Sequence, residues 1–275
     1  MQNADVQKIA VLGAGNIGEA LIAGLLNSGV DPKQIVATNR TEEASASIAQ
    51  RYEVLTETDN RAAVDEADVA VLCVKPAQIP QLLDEISDQV DRNDTGTVLV
   101  SMAAGVSLAA MQDAISTAGA PIARVMPNTP MLVGKGVLAV AYGRYVDDEQ
   151  RTLIRDLLQA AGKVVEVGES QLDAVTAISG SGPAYYFLMT EALVDAGVAL
   201  GLNRELATEL AVATAAGAGA MLEGEYTPAE LRAAVSSPAG TTVAAIRELE
   251  ESGLRGALYR ATEACAERSA ELGNH

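Results

Sequence analysis

The sequence predicts an α/β Rossmann domain with a mostly parallel, doubly wound sheet, followed by an all-α domain. β-branched runs alternate with amphipathic helical stretches through residue 167, and a glycine-rich turn follows the first run. From about Gly168 the strand pattern disappears, and Ala, Leu and Glu recur at helical spacing. Alternating strands and helices form parallel sheets covered on both faces. We therefore expect two domains, residues 1–167 and 168–275.

Short runs rich in Val, Ile and Leu are the predicted strands, and amphipathic stretches between them are the predicted helices. The strands are residues 8–12, 35–38, 69–74, 97–101, 122–125, 137–142 and 163–167. The helices are residues 17–27, 79–90 and 147–160. A later segment, AVATAAGAGAM at 211–221, predicts close helix–helix approach within a subunit or across a dimer.

Composition argues against several classes of partner. Hydrophobic residues make up 49% of the chain, which is typical of a folded protein. The formal net charge of −18 and the pI near 4.4 argue against binding nucleic acid or anionic membrane. Abundant acidic residues with few lysines favour a protein adapted to high salt, where self-repulsion is screened. An ordinary acidic cytoplasmic protein is the alternative.

Cysteine and histidine usage narrows the chemistry. The two cysteines, Cys73 and Cys265, suggest neither a disulfide framework nor a metal cluster, and Cys73 fits a buried apolar position. With no signal-peptide pattern and no long uncharged apolar run, we expect a cytoplasmic protein without a metal site. The one histidine is His275, so we expect no histidine base or metal ligand inside the fold.

A glycine fingerprint follows the first predicted strand and precedes a helix. Its residues are Gly13, Ala14, Gly15, Asn16, Ile17 and Gly18. The first glycine permits a tight turn, the second lets the backbone approach a pyrophosphate, and the third allows helix–strand packing. The pyrophosphate would lie at the helix N-terminus, where free amides favour negative charge. This context predicts a dinucleotide site rather than a glycine turn without a ligand.

The end of the second strand indicates which dinucleotide is bound. An NAD site usually carries Asp or Glu there, bonded to the ribose 2′-hydroxyl. This chain has Thr38, Asn39, Arg40 and Thr41 instead. Because Arg40 and the hydroxyls can hold a phosphate, we predict NADPH as the preferred cofactor, with NADH also possible. An exposed arginine without a partner is the alternative interpretation.

Two further segments follow predicted strands at the same edge of the sheet, where open α/β sheets bind ligands. They are Val74, Lys75 and Pro76, and Ala103, Ala104 and Gly105. Lys75 is interpreted as a cofactor contact or as a solvated loop lysine. The small residues, and the proline-containing turn MPNTP at 126–130, would leave room for a nicotinamide ring.

Two motifs in the helical half combine hydroxyls, glycine and proline: SGSGPAY at 179–185 and SSPAGTT at 236–242. Each is compatible with a helix start, in which Ser or Thr caps and Pro occupies the first turn. The amides and hydroxyls of the second motif also suit a bound carboxylate. The pattern alone leaves both interpretations open.

These motifs resemble the pyrroline-5-carboxylate reductase family over essentially the whole chain. They are VLGAGNIGEAL, VKP, MPNTP, DAVTAISGSGPAYYFLMTEALVDAGVALGL and SSPAGTT. The resemblance implies an NADPH-dependent oxidoreductase that reduces 1-pyrroline-5-carboxylate to L-proline, the last step of proline biosynthesis. It also implies a helical domain that binds substrate and dimerises by interleaving helices. The active site would lie between one subunit's nicotinamide and the partner's helices, in a homodimer or a ring of dimers.

The resemblance also assigns roles to individual residues. Gly13 to Gly18 match the phosphate loop, and Asn39, Arg40 and Asn60 match positions at the adenosine ribose. Val74, Lys75 and Pro76 match the segment along the ribose, and Ala103, Ala104 and Gly105 match the nicotinamide edge. The substrate turn corresponds to Ser237, Gly240, Thr241 and Thr242, with Thr242 as the catalytic hydroxyl nearest the ring nitrogen. Ala239 stands where many members have Gly, so the turn geometry depends on whether this position needs a positive φ.

Hydride transfer to a cyclic imine asks little of the side chains, because the cofactor supplies the chemistry. With no internal histidine, Thr242 or water would orient the ring nitrogen or relay its proton. Alternatives are a related imine reductase, a β-hydroxyacid-dehydrogenase-like oxidoreductase, and an NADPH-binding sensor without turnover. The second alternative calls for a catalytic lysine in the helical half, yet the last lysine is Lys163.

Overall fold

The computed structural model describes residues 6–93 and 96–273. The chain divides into two compact units, one running to Gly180 and resuming at Cys265, the other being Ser181–Ala264. The first unit extends past residue 167 because Leu172 packs against Ala139 and Ala141 of the sheet. The compact units therefore have different boundaries from the two predicted domains, residues 1–167 and 168–275. The assignment of cofactor binding to one domain and substrate binding to the other stays a prediction.

Within the described residues, one sheet of eight strands has the order 3-2-1-4-5-6-7-8. Neighbours are parallel from β3 through β6, β7 is antiparallel to β6, and β8 is parallel to β7. The strands are β1 (Ile9–Leu12), β2 (Ile35–Thr38), β3 (Leu55–Glu57), β4 (Val69–Leu72), β5 (Val98–Ser101), β6 (Ile122–Met126), β7 (Gly136–Tyr142) and β8 (Gly162–Glu166). The predicted mostly parallel α/β fold is confirmed.

Two strands differ from expectation. The edge strand β3, sequence LTE, was missed, because a half-exposed run of three residues carries no detectable apolar pattern. The strand predicted at 69–74 ends at Leu72. Beyond it the chain turns, so that Val74 packs beneath the glycine loop instead of extending the ladder.

Among the described residues, seven α-helices lie wholly within the first unit, and they cover both faces of the sheet. They are α1 (Asn16–Asn27), α2 (Glu42–Tyr52), α3 (Asn60–Val64), α4 (Ile79–Arg92), α5 (Leu108–Ala114), α6 (Asp148–Gln159) and α7 (Leu172–Val175). Leu21, Leu25 and Leu157 pack in one core, and Leu83 and Ile86 pack in another. The helices predicted at 17–27, 79–90 and 147–160 are confirmed, with ends shifted by up to two residues.

The second unit is entirely helical in its described residues, as predicted. Its helices are α8 (Gly182–Ala199), α9 (Arg204–Met221), α10 (Pro228–Ala234), α11 (Thr241–Glu251) and α12 (Leu254–Gly273). The end of α12, from Cys265, belongs to the first unit, where Ser269 Oγ donates to Asp173 Oδ1 at 2.7 Å. Of the helices described, none combines the length and apolarity needed to cross a lipid bilayer.

Candidate active site

The glycine loop between β1 and α1 has the shape of a phosphate cradle. Gly13 has φ +87°, and a Cβ there would lie 2.7 Å from Val74 Cγ1. A Cβ at Gly18 would lie 3.1 Å from the Gly13 carbonyl oxygen, whereas the space at Gly15 is open. Gly15 also caps α1 without a side-chain hydrogen bond, so the first amides of the helix are not satisfied by a capping side chain. These features fit the pyrophosphate of a dinucleotide.

Strand β2 fixes the conformation of this loop. The Ala14 amide donates to the Thr38 carbonyl oxygen at 2.9 Å, and the Gly13 amide donates to Thr38 Oγ1 at 3.1 Å. Thr38 therefore anchors the loop through both its backbone and its side chain. The sequence predicts Thr38 at the ribose end of the site, but the hydrogen bond to Gly13 is a tertiary contact that no local sequence pattern indicates.

A cavity of ≈ 250 Å³ lies beside the loop and contains several predicted cofactor residues. Its lining residues are Gly13, Thr38, Asn39, Arg40, Thr58, Asn60, Val74, Gln78, Gln81, Leu82 and Glu85. The side-chain nitrogen Nδ2 of Asn39 is buried without a hydrogen-bond partner. A buried polar group without a partner is costly, so this nitrogen fits a site completed by a polar ligand. Glu85 and Gln81 of α4 were not predicted, because they follow Asn39 by more than forty residues.

Neighbouring parallel strands bring the other predicted segments to the same edge. β1, β4 and β5 are adjacent, and Gly13, Val74 and Ala103 follow their carboxyl ends. Ala103 is buried, whereas Lys75, Pro76 and Ala104 are exposed. Gly105 has φ +76°, and a Cβ there would lie 3.3 Å from the carbonyl oxygen of Leu272. The conformation of Gly105 thus favours glycine, and a side chain there would crowd the backbone of Leu272.

The thiol of Cys73 lies below this edge and packs, partly buried, against the main core. Burial raises the pKa of the thiol from an ordinary 9.0 to about 12. Because only the thiolate is an effective nucleophile, Cys73 remains an unreactive thiol at neutral pH.

Asn128, in the MPNTP segment, has a role that the sequence did not reveal. Its Nδ2 donates to the Ser179 carbonyl oxygen at 2.9 Å, and its Oδ1 accepts from the Val137 amide at 2.8 Å. Residues Thr176–Gly180 form a π-helical turn just before α8, and a Cβ on Gly180 would lie 2.6 Å from Met126 Cε. Asn128 thus ties this turn, a type often found at functional sites, to β7.

The motif SSPAGTT at 236–242 forms a tight turn followed by α11. The Gly240 amide donates to the Ser237 carbonyl oxygen at 3.0 Å, with Pro238 and Ala239 between them. Gly240 caps α11 without a side-chain hydrogen bond, and its missing Cβ would lie 2.5 Å from Ser237 Oγ. The motif does begin a helix, but no Ser or Thr side chain caps it. The first amides of α11 therefore have no side-chain partner.

Ala239 adopts φ +58° in this turn. A turn with Pro second and a positive φ third is of type II, which favours glycine at the third position. The position therefore needs the left-handed conformation, and alanine adopts it here. Within the same turn and helix start the structure brings together Ser237, Gly240, Thr241 and Thr242, with Thr242 half-buried.

Comparisons with known proteins cover both halves of the chain. Residues 169–272 match the model of pyrroline-5-carboxylate reductase dimerisation, and residues 8–105 match the model described as NADP oxidoreductase, coenzyme F420-dependent. A pyrroline-5-carboxylate reductase from Corynebacterium melassecola is 59% identical, covering 97% of this chain and 99% of that protein. The chain belongs to the pyrroline-5-carboxylate reductase family.

Solved structures of pyrroline-5-carboxylate reductases agree with this assignment. The Coxiella burnetii enzyme has a TM-score of 0.92 at 37% identity, covering 98% of this chain and 99% of that one. A Plasmodium falciparum reductase, solved with NADP bound, has a TM-score of 0.83 at 27% identity and covers 98% of both chains. The family inferred from the motifs is therefore confirmed. Adaptation to high salt stays a prediction from composition.

Proposed function

We propose that this protein reduces 1-pyrroline-5-carboxylate to L-proline with NADPH, as the last step of proline biosynthesis. The observation that carries the proposal is the near full-length match to reductases of this name, which includes both the glycine loop and the 236–242 turn. Arg40 at the end of β2 and the NADP-bound relative support NADPH over NADH. The absence of a carboxylate at residues 38–41 points the same way.

The first unit supplies the cofactor site. Amides at the start of α1, from Gly15 to Gly18, would hold the pyrophosphate. Arg40, Asn39 and Asn60 would hold the adenosine ribose and its 2′-phosphate, and Asn39 Nδ2 would thereby gain a partner. Val74, Lys75 and Pro76, with Ala103, Ala104 and Gly105, would extend the site along the carboxyl edge. When bound, the nicotinamide supplies the hydride.

The 236–242 turn supplies the substrate site. The uncapped amides at the start of α11, with the hydroxyls of Ser237 and Thr241, are suited to the substrate carboxylate. This helix is eleven residues long, enough for a helix dipole to favour an anion at its N-terminus. Binding the carboxylate here fixes one end of the small ring, so the position of its C=N bond is largely determined.

Thr242 would hydrogen-bond the ring nitrogen. A hydroxyl is both donor and acceptor, so it can orient the protonated imine or pass a proton between nitrogen and water. No histidine lies within residues 6–93 and 96–273, and His275 is outside the described residues. The protein's contribution is thus mainly orientation, with a hydroxyl or water at the nitrogen.

The Thr242→Ala variant tests the assignment of the catalytic hydroxyl. We expect kcat to fall by roughly ten- to a hundredfold while the Kd for NADP⁺ stays unchanged, because the variant removes only the group at the ring nitrogen. Rates are measured as NADPH oxidation with pyrroline-5-carboxylate. Thr242→Ser, which keeps the hydroxyl, should restore most of the activity. Wild-type turnover in Thr242→Ala would remove this residue from the mechanism.

Self-association completes the proposal. The segment 169–272 matches the family's dimerisation model, and α8 carries exposed Tyr186, Phe187, Leu188 and Leu193. The second unit buries few residues of its own, with a small cluster around Val194. A homodimer, or a ring of such dimers, would cover this apolar surface.

A further inference from the structure

The cavity beside the glycine loop contains a carboxylate that the proposed cofactor contacts leave unexplained. Glu85 lines this cavity together with Arg40 and Asn39, and its Oε1 accepts a hydrogen bond from Asn60 Nδ2 at 3.2 Å. A carboxylate near the adenosine ribose can accept a hydrogen bond from a 2′-hydroxyl but repels a 2′-phosphate. The cavity is therefore lined by two opposite charges, Arg40 and Glu85. Both lie at the proposed ribose site, where NADPH carries a 2′-phosphate and NADH carries a 2′-hydroxyl.

Glu85 also ends a chain of hydrogen bonds that begins at the glycine loop. The Gly13 amide donates to Thr38 Oγ1, and the Thr38 hydroxyl donates to Asn60 Oδ1 at 2.8 Å. Asn60 then donates to Glu85. Because an amide oxygen accepts and an amide nitrogen donates, Glu85 fixes which way the Asn60 side chain faces.

We propose that Glu85 is a specificity-determining residue whose charge weakens binding of the 2′-phosphate and brings the affinities for NADPH and NADH closer together. Arg40 acts in the opposite direction. The inference rests on the proposed function, because it places a nicotinamide dinucleotide in this cavity. Charges that share a small, partly buried cavity are screened less than charges on the surface, so the carboxylate acts on the phosphate across it.

The Glu85→Gln variant separates the charge of this residue from its positioning role. Glutamine keeps a side-chain oxygen that can accept from Asn60 Nδ2, so the hydrogen-bond chain is retained while the negative charge is lost. We expect the Kd for NADP⁺ to fall by roughly three- to tenfold, with the Kd for NAD⁺ nearly unchanged. Both constants are measured by calorimetric titration of the full-length protein.

Asp84→Asn is the matched control. Asp84 is the exposed neighbour of Glu85 on α4 and does not line the cavity, so the variant makes the same change in net charge outside the site. We expect neither dissociation constant to change by more than about twofold, because surface charges are screened by salt. An equal gain for NADP⁺ in Asp84→Asn would attribute the effect to net charge and overturn the proposal.

A variant that adds a negative charge to the cavity tests the proposal even if Glu85→Gln does not fold. Gln81 is exposed and lines the same cavity one helical turn before Glu85. Gln81→Glu adds a carboxylate and should weaken NADP⁺ binding several-fold more than NAD⁺ binding. Unchanged or equal effects on the two nucleotides would refute a role in specificity. A wild-type protein that bound neither nucleotide would instead refute the proposed function.

Discussion

The turn around Ala239 holds this residue at a positive φ, a backbone conformation that alanine disfavours. The turn places Pro238 second and returns the chain into α11 at Gly240, and this geometry requires a positive φ between them. An L-residue with a Cβ pays roughly 1–2 kcal/mol for that conformation. The turn positions Ser237 and leads directly into Thr242 of α11. Its shape therefore sets the geometry of the proposed substrate site.

We therefore expect Ala239→Gly to raise the free energy of unfolding by roughly 0.5–1 kcal/mol, after allowing for the greater freedom of glycine in the unfolded chain. Urea unfolding at fixed protein concentration measures the change. Ala233→Gly is the matched control, because Ala233 is exposed in α10 and has helical geometry. It should lower stability by about 1 kcal/mol. Equal losses in both variants would contradict the strain at Ala239.

Helix α1 shows how packing between elements can override helix propensity. Gly24 lies in the middle of this helix, where glycine is about 1 kcal/mol less favourable than alanine. A Cβ at this position would lie 2.5 Å from the Ala160 carbonyl oxygen, which is backbone and cannot rotate away. Glycine thus lets α1 approach the segment that links α6 to β8.

Gly24→Ala should lower the free energy of unfolding by about 1–3 kcal/mol, although propensity alone predicts a gain. The reason is that the sheet-covering helix must move away from the Ala160–Ala161 backbone. Thermal and urea unfolding measure the loss. A stabilised variant would show that α1 can shift freely at this crossing.

For the whole molecule, the two units differ in how completely they bury their apolar residues. The first unit has extensive cores on both faces of the sheet, whereas the second has a small cluster between α8 and α9. Large apolar residues such as Phe187, Leu188 and Tyr259 remain exposed in the second unit. An isolated subunit would therefore expose a large apolar surface, and the proposed association through residues 169–272 would remove it from water.

Leu188→Asp should shift the protein toward the monomer, because Leu188 is an exposed apolar residue of the segment matched by the dimerisation model. Burying a carboxylate there without a partner would cost several kcal/mol. Light scattering coupled to size-exclusion chromatography measures the mass. Leu55→Asp is the control, since Leu55 is also an exposed leucine but lies on β3, outside the segment matched by the dimerisation model. An unchanged mass for both variants would place the interface elsewhere.

Much of the fold could be predicted from the sequence because its signals are local. The continuous apolar runs of the buried strands, the period of 3.6 along α1, α4 and α6, and the loop from Gly13 to Gly18 all arise within short segments. The same holds for the family, since motifs such as SSPAGTT are contiguous. β3 was missed because a strand of three half-exposed residues is defined by its partner β2 and not by its own composition.

By itself the sequence determined the fold class, the family and the segments at the carboxyl edge, because each depends on neighbouring residues. Only the tertiary structure decided that Thr38, Asn60 and Glu85 form one hydrogen-bond chain, that Asn128 holds the turn before α8, and that Ala239 needs a positive φ. The hydrogen bonds join residues that are far apart in the chain, and the angle at Ala239 depends on how the turn connects to α11. Tertiary packing sets their geometry, and a local sequence pattern does not predict it.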